Sequence, residues 1–226
     1  MPTHRHFTSI PVRTQDFRLL LSPLITRAVI DGFARDIHMG AEREWSTTLA
    51  KHASALPGST STPPSKWLVS PTQSHPALSS IAIAPSSAAH APPQLLTAFT
   101  PLAVSLNTYL RALNRLRALA PMGALDGVLD ALESGLARSG EALLTYARVW
   151  RGDATESEVL RAAGAAYVRV LVPFLRRAIV EGVFGITAYD FDAPKKRAED
   201  ATQMGGASRL RDVIRNWESW LEGTSS

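Results

Sequence analysis

The chain has 226 residues, with 24 basic and 20 acidic side chains, no cysteine and 45% apolar residues. The missing thiols exclude a disulfide framework and a cysteine-ligated zinc module. Ordinary apolar content with a net charge of only +4 excludes a wholly disordered chain and gives no argument for nucleic acid as a partner.

Residues 1–15 read as a flexible tail. His4 and His6 are the only closely spaced histidines, and a solvated tail is preferred over a metal site there. The start is a poor signal peptide, because the apolar run Leu19–Leu21 is short and follows Asp16 and Arg18. The longest stretch without Asp, Glu, Lys or Arg, Trp67 to Leu110, is broken by prolines and serines, so it is not expected to span a membrane. A soluble protein in a reducing compartment is the simplest expectation.

Residues 16–53 are expected to contribute one long helix, entered at Ser22-Pro23 because proline at the first helical position forfeits no needed N–H. Asp16–Leu21 is expected to form a separate turn. Apolar residues recur every four positions at Ile25, Val29, Phe33, Ile37, Ala41, Trp45 and Leu49. Such a stripe winds slowly round the helix and needs more than one neighbour to cover it. Residues 54–99 then hold a Pro/Ser/Ala-rich linker, with eight of the chain's 15 prolines between Ser54 and Pro93. Trp67-Leu68-Val69 and Ile81-Ala82-Ile83 are apolar islands suited to pinning it onto the folded part.

Residues 100–185 predict three helices. Thr100-Pro101 opens the first as N-cap and first helical residue, and Leu102, Leu106, Tyr109, Leu113 and Leu116 form a heptad seam ended by Pro121. The second runs from about Ala124 to Trp150, with Leu125, Leu129, Leu132, Leu136, Ser139, Leu143, Tyr146 and Trp150 in the same alternation, Ser139 being the one polar exception. The third opens on a Thr155–Glu158 capping box and contains Pro173, which should bend it. Residues 186–226 are a polar tail ending in an amphipathic helix, where Leu210, Val213, Ile214, Trp217 and Leu221 share one face. The short connections between the three helices predict antiparallel neighbours. The fold class is therefore all-α, an elongated antiparallel helical bundle with a long linker.

Chemistry is sparse. No GxGxxG, P-loop, GxSxG or HExxH occurs, and no catalytic, cofactor or metal residue is assigned. Asp126, Asp130 and Glu133 read as a solvated helix edge. Arg111, Arg115 and Arg117 form the sharpest basic cluster. A nucleic-acid contact is one reading, but no aromatics interleave for base stacking; a solvated face paired with the acidic neighbour helix is preferred. The candidate partner-binding residues are Leu210, Val213, Ile214, Trp217, Leu221, Arg111 and Arg115. For the terminal helix, docking on its own bundle, a partner groove and a membrane surface are all open.

The ordered segments Asp16-Phe17-Arg18, Leu21-Ser22-Pro23, Pro101-Leu102-Ala103-Val104-Ser105-Leu106-Asn107, Leu113-Asn114-Arg115-Leu116-Arg117, Ala120-Pro121 and Leu171-Val172-Pro173-Phe174-Leu175 carry a resemblance. From about Val12 to Gly185 the chain resembles the C-terminal part of the conserved oligomeric Golgi complex subunit 8 family. The resemblance implies a non-catalytic helical-rod subunit of a vesicle-tethering complex in retrograde intra-Golgi traffic, peripheral on the cytoplasmic face of the Golgi membrane. It implies other subunits of that complex as partners, particularly subunit one and those of the second lobe, with the membrane surface met indirectly and no cofactor. Family members carry a large N-terminal helical part that has no counterpart in this sequence. The alternatives are an unrelated helical-bundle ligand-binding protein or enzyme, and a peripheral membrane adaptor.

Overall fold

The computed structural model describes residues 18–53, 62–72, 74–81, 91–187 and 205–223. The tail with His4 and His6, the linker residues 54–61 and 82–90, and the polar run Asp190–Asp200 lie outside them. Among the described residues every regular element is helical, and the sole strand-like feature is an isolated antiparallel bridge between Val69 and Phe99.

Helix α1 (Arg18–Ile37) passes through a π-helical turn (His38–Glu42) into α2 (Arg43–Ala53). Arg18–Leu21, expected as part of a separate turn, are already helical ahead of Pro23, while Asp16 and Phe17 of that turn lie outside the described residues. Pro23 lacks the N–H that the Leu19 carbonyl would accept, a loss of one bond close to the helix end. The four-residue stripe explains the π turn. At 3.6 residues per turn each four-residue step overshoots by about 0.4 residue, so Phe33 to Leu49 drifts by about 1.6 residues. A π turn closes i to i+5 bonds and takes up one residue of that drift. Phe33, Ile37, Ala41, Trp45 and Leu49 all stay buried as a result.

The described part of the linker packs on the bundle. Glu156 accepts hydrogen bonds from the Ser65 amide and hydroxyl, each at 2.7 Å, which fixes α3 (Pro64–Trp67). Leu68 and Ile81 are fully buried. Trp67 stacks on His52 with ring centroids 4.3 Å apart and donates its indole N–H to the Tyr146 hydroxyl at 3.3 Å. Helix α4 (Thr100–Arg117) follows. Thr100 is its first residue, not its N-cap: extended Phe99 holds that position with no side-chain acceptor, and the Leu68 carbonyl accepts the Thr100 amide at 3.1 Å.

Helix α5 (Leu125–Val149) is the axis of the bundle, with buried residues on every side. Its Leu129, Leu132, Leu136 and Leu143 are completely enclosed. The next helical run is α6 (Ala154–Ala166), a π turn (Tyr167–Leu171), α7 (Val172–Arg177) and a second π turn (Ala178–Val183). Its N-cap is Asp153, which accepts the Glu156 amide at 3.1 Å; the helix begins at Ala154, so the expected Thr155 cap already lies inside it. Pro173 sits directly after the π turn, where the ladder is already shifted.

Contacts fix the directions. Tyr167 donates to the Leu136 carbonyl and Arg176 meets Glu133, so the α6–α7 run is antiparallel to α5, as their short connection predicts. Trp45 donates to the Ser139 carbonyl at 3.0 Å while Ile30 lies against Gly127, so the first rod runs parallel to α5. Asp36 pairs with Arg115 and Glu44 accepts from Thr108, so the same rod is antiparallel to α4. Parallel neighbours are possible because the residues between α2 and α4 are numerous enough to return the chain.

The last helix, α8 (Gly206–Glu222), docks on α5 and α6. Trp217 is completely buried, and its indole donates to the Gly140 carbonyl at 3.1 Å. Its ring lies over Gly164, where any Cβ would sit 2.0 Å from a ring carbon. Arg169–Glu218 at 2.6 Å and Arg161 donating to the Leu221 carbonyl at 2.8 Å close the edge.

Candidate interaction surface

The first rod is covered by α4 and α5 from Phe33 onward; before it Ile30 still meets Gly127 and Val29 is half-buried, but the outer face is open. Ile25 is 54% exposed, and Leu24 and Leu21 are also open to solvent. Opposite them the end of α4 leaves Leu119 71% exposed. Between the two helices lies a groove of about 460 Å³, with Ile25, Val29 and Phe33 on one wall and Ala112, Leu116 and Leu119 on the other. The Arg115–Asp36 ion pair, 3.1 Å long and exposed, closes its far end.

The expected partner-binding residues separate into two groups. Arg115 lines this groove, and Arg111 is exposed one turn earlier on α4. Arg115 pairs with α1, not with the acidic edge of α5 that was expected to neutralise it. That edge is spent elsewhere: Glu133 is 1% exposed and paired with Arg176, and Asp130 accepts the Gly206 amide at 2.9 Å. Leu210, Val213, Trp217 and Leu221 are buried against α5 and α6, with Ile214 half-buried beside them. A partner could reach that face only by displacing α8. The residues that sequence reasoning passed over are Leu21, Leu24, Leu119 and Met122. Their signal is an apolar side chain outside any heptad seam, within two residues of a proline.

A second polar locus fastens the first rod to α5. Arg138 clamps Glu42 with two bonds of 2.7 Å, and the His38 ring meets the same carboxylate at 3.1 Å. Burial opposes ionisation of Glu42, but the hydrogen bonds from Arg138 and His38 and their charges outweigh it and hold the carboxyl below its ordinary range. The bond to Glu42 in turn raises the Arg138 guanidinium. Nearby, burial pushes the phenols of Tyr109 and Tyr167 well above their usual value, so both stay protonated. Among the described residues no group of three or more His, Asp or Glu could hold a metal ion, and no helix is long and apolar enough to cross a membrane.

Comparison with known proteins points to one kind of relative. A protein of Drosophila melanogaster is 36% identical over 104 residues, 44% of this chain. Proteins of Mus musculus and Homo sapiens are 28% and 29% identical over 169 residues, 73% of this chain. The chain is similar to conserved oligomeric Golgi complex subunit 8. All three relatives carry that name, and the matched stretches make up 18%, 24% and 25% of their lengths. The chain thus spans about a quarter or less of the subunit 8 proteins it matches. No protein-family model and no solved structure matches it.

Proposed function

We propose that the chain is a non-catalytic helical scaffold of the conserved oligomeric Golgi tethering complex. It joins that complex through helix–helix contacts on the cytoplasmic face of the Golgi and takes part in retrograde vesicle tethering. The observation that carries this reading is the similarity to subunit 8 over 73% of the chain. The open apolar groove between α1 and α4 supports the mode of contact, since large exposed apolar patches mark protein–protein interaction sites. Subunit one and the second-lobe subunits are the partners this reading names. The membrane-adaptor reading loses support because the apolar face of α8 packs on its own bundle.

The test is affinity purification of the tagged chain from cells that make the complex. Subunit one and other members are expected to co-purify in defined ratio, and tagged chain is expected at the Golgi. A chain recovered as a clean monomer, with none of those subunits, refutes the proposal.

A further inference from the structure

We infer that the hollow between α2 and α4 binds a trimethylammonium group, carried by free choline or by a choline lipid headgroup. The inference goes beyond the tethering role proposed above and does not rest on it.

The hollow has a volume of about 250 Å³. Pockets for drug-sized ligands run to roughly 300–1,000 Å³, so its occupant is a small group. Three aromatic rings line it. Trp45 stands at its buried side, and Trp67 and His52 stack with centroids 4.3 Å apart and planes 5° from parallel. The two indoles are fixed in place, Trp45 by its bond to the Ser139 carbonyl at 3.0 Å and Trp67 by its bond to the Tyr146 hydroxyl at 3.3 Å. A ring held this way loses no rotamer freedom when a ligand arrives. Pro101 and Val104 supply apolar surface on the α4 side.

The charge of the walls has one sign. Glu44 lines the hollow, and no Lys or Arg does. The Glu44 carboxylate accepts one long bond, from the Thr108 hydroxyl at 3.5 Å, and has no ion pair among the described residues. Burial and the neighbouring Lys51 charge push the His52 imidazole below its usual range, which favours its neutral form. The helix ends that meet here oppose one another, the last turns of α2 against the first turn of α4, so their dipoles offset. Nor is the start of α4 an anion site: the Thr100 amide is taken by the Leu68 carbonyl, and Pro101 has no N–H to give. An anion would face Glu44 with no cation on the walls to hold it.

Among cations, the walls select one without N–H groups. A primary ammonium brings three donors that each need an acceptor. The hollow offers one carboxylate and a few hydroxyls, of which Thr48 already donates to the Glu44 carbonyl at 2.9 Å. A trimethylammonium group needs no acceptor, packs its methyls on Pro101 and Val104, and is drawn by aromatic rings and a carboxylate alike.

The test titrates the full chain at fixed ionic strength with choline and with its neutral isostere, in which a tert-butyl group replaces the trimethylammonium. Calorimetry and tryptophan fluorescence follow binding. Choline should bind saturably, with a Kd of about 1 mM or tighter, and roughly tenfold more tightly than the isostere. Glu44→Gln changes one exposed side chain and should lose roughly fivefold in choline affinity at an unchanged Tm. Trp67→Leu should lose roughly tenfold, and Trp67→Phe should recover part of that loss. If Trp67→Leu does not fold, Glu44→Gln and the isostere decide. Flotation with phosphatidylcholine vesicles names the source. Flotation that excess choline competes away and Glu44→Gln weakens supports the lipid headgroup; choline binding without flotation supports the free molecule. Absence of both overturns the inference. So does an isostere that binds as well as choline, or choline binding that Glu44→Gln leaves undiminished. Co-purification of the Golgi subunits bears on the tethering role alone, so either proposal can fail while the other stands.

Discussion

Replacing Gly164 with alanine tests the docking of α8 most directly. In a free helix the change would stabilise by about 0.8–1 kcal/mol, because glycine pays the larger entropic cost of helix formation. Here the added Cβ would lie 2.0, 2.5 and 2.6 Å from three carbons of the Trp217 ring. Carbon atoms pack at about 3.5–4.0 Å, so the ring must retreat by roughly 1.5 Å. It has little freedom to do so, being completely buried and tied through its N–H to the Gly140 carbonyl. Overpacking of this kind costs about 1–3 kcal/mol, and three contacts this short belong at the upper end. Set against the helix gain, the net loss is about 2 kcal/mol. Gly32→Ala is the matched control: it also lies in a helix interior, but nothing stands within 4 Å of its would-be Cβ, so it should gain about 0.5–1 kcal/mol. Urea unfolding followed by circular dichroism measures both. The difference between the variants should be near 3 kcal/mol and opposite in sign about the wild type. Trypsin should cut at Arg209, Arg211 and Arg215 faster in Gly164→Ala. Two variants shifted in the same direction, or within about 0.5 kcal/mol of each other, would refute the packing described for Trp217.

Two further outcomes follow from the polar fasteners. Glu42→Gln keeps the shape but removes the charge that Arg138 clamps, and should cost about 1–2 kcal/mol, the lower part of the charged hydrogen-bond range because Arg138 keeps about half its side chain in water. The Glu42 pKa is depressed in the folded protein, so its contribution is present above the unfolded value of about 4.3 and is lost as pH falls through the folded value. Urea midpoints measured from about pH 6 down to about pH 3 should therefore decline less steeply in Glu42→Gln than in the wild type; parallel curves would contradict the assignment. Glu156→Ala removes both acceptors that hold Ser65, so trypsin cleavage at Lys66 should accelerate by roughly tenfold while the global Tm changes little. An unchanged cleavage rate would show that Leu68 and the Val69–Phe99 bridge suffice to hold this segment.

What could be read from the sequence depended on how local its cause was. The heptad seam of α5 was legible because each leucine meets the next on one face whatever the neighbours are, and Leu129, Leu132, Leu136 and Leu143 are all enclosed. The four-residue stripe from Ile25 to Leu49 was legible as a surface too wide for one neighbour. Which part would be covered was not, because that depends on where α4 ends and on the π turn at His38–Glu42. Nor could the Glu42–Arg138 clamp be read, since its partners are 96 residues apart. Glu133 was misread as a solvated edge residue for the same reason: its partner Arg176 arrives from a helix whose phase a π turn has changed. Helix α8 was legible as amphipathic but not as docked, because its receiving surface is a pair of glycines, Gly140 and Gly164, on two other helices.

The charge of the groove has a structural origin in how the acids are spent. Helix α4 contains no Asp or Glu, yet its last turns carry Arg111, Arg115 and Arg117. Cations at that end favour the helix dipole, so their position has a local cause independent of any partner. Elsewhere the bundle uses its carboxylates internally: Glu133 on Arg176, Glu42 on Arg138, Glu218 on Arg169 and Asp130 on the start of α8. Only Asp36 of α1 reaches toward α4, and it satisfies Arg115 alone. Internal pairing thus leaves Arg35 and Arg111 without an acidic partner among the described residues, while Glu44 of α2 faces Thr108 of α4. An exposed pair such as Asp36–Arg115 is worth at most about 1 kcal/mol. The Asp36–Arg115 pair can therefore open at little cost, whereas opening the buried Glu133–Arg176 pair would strand a carboxylate that is 1% exposed. That difference in cost separates an exposed pair, which water can replace, from a buried one whose opening would disturb the bundle.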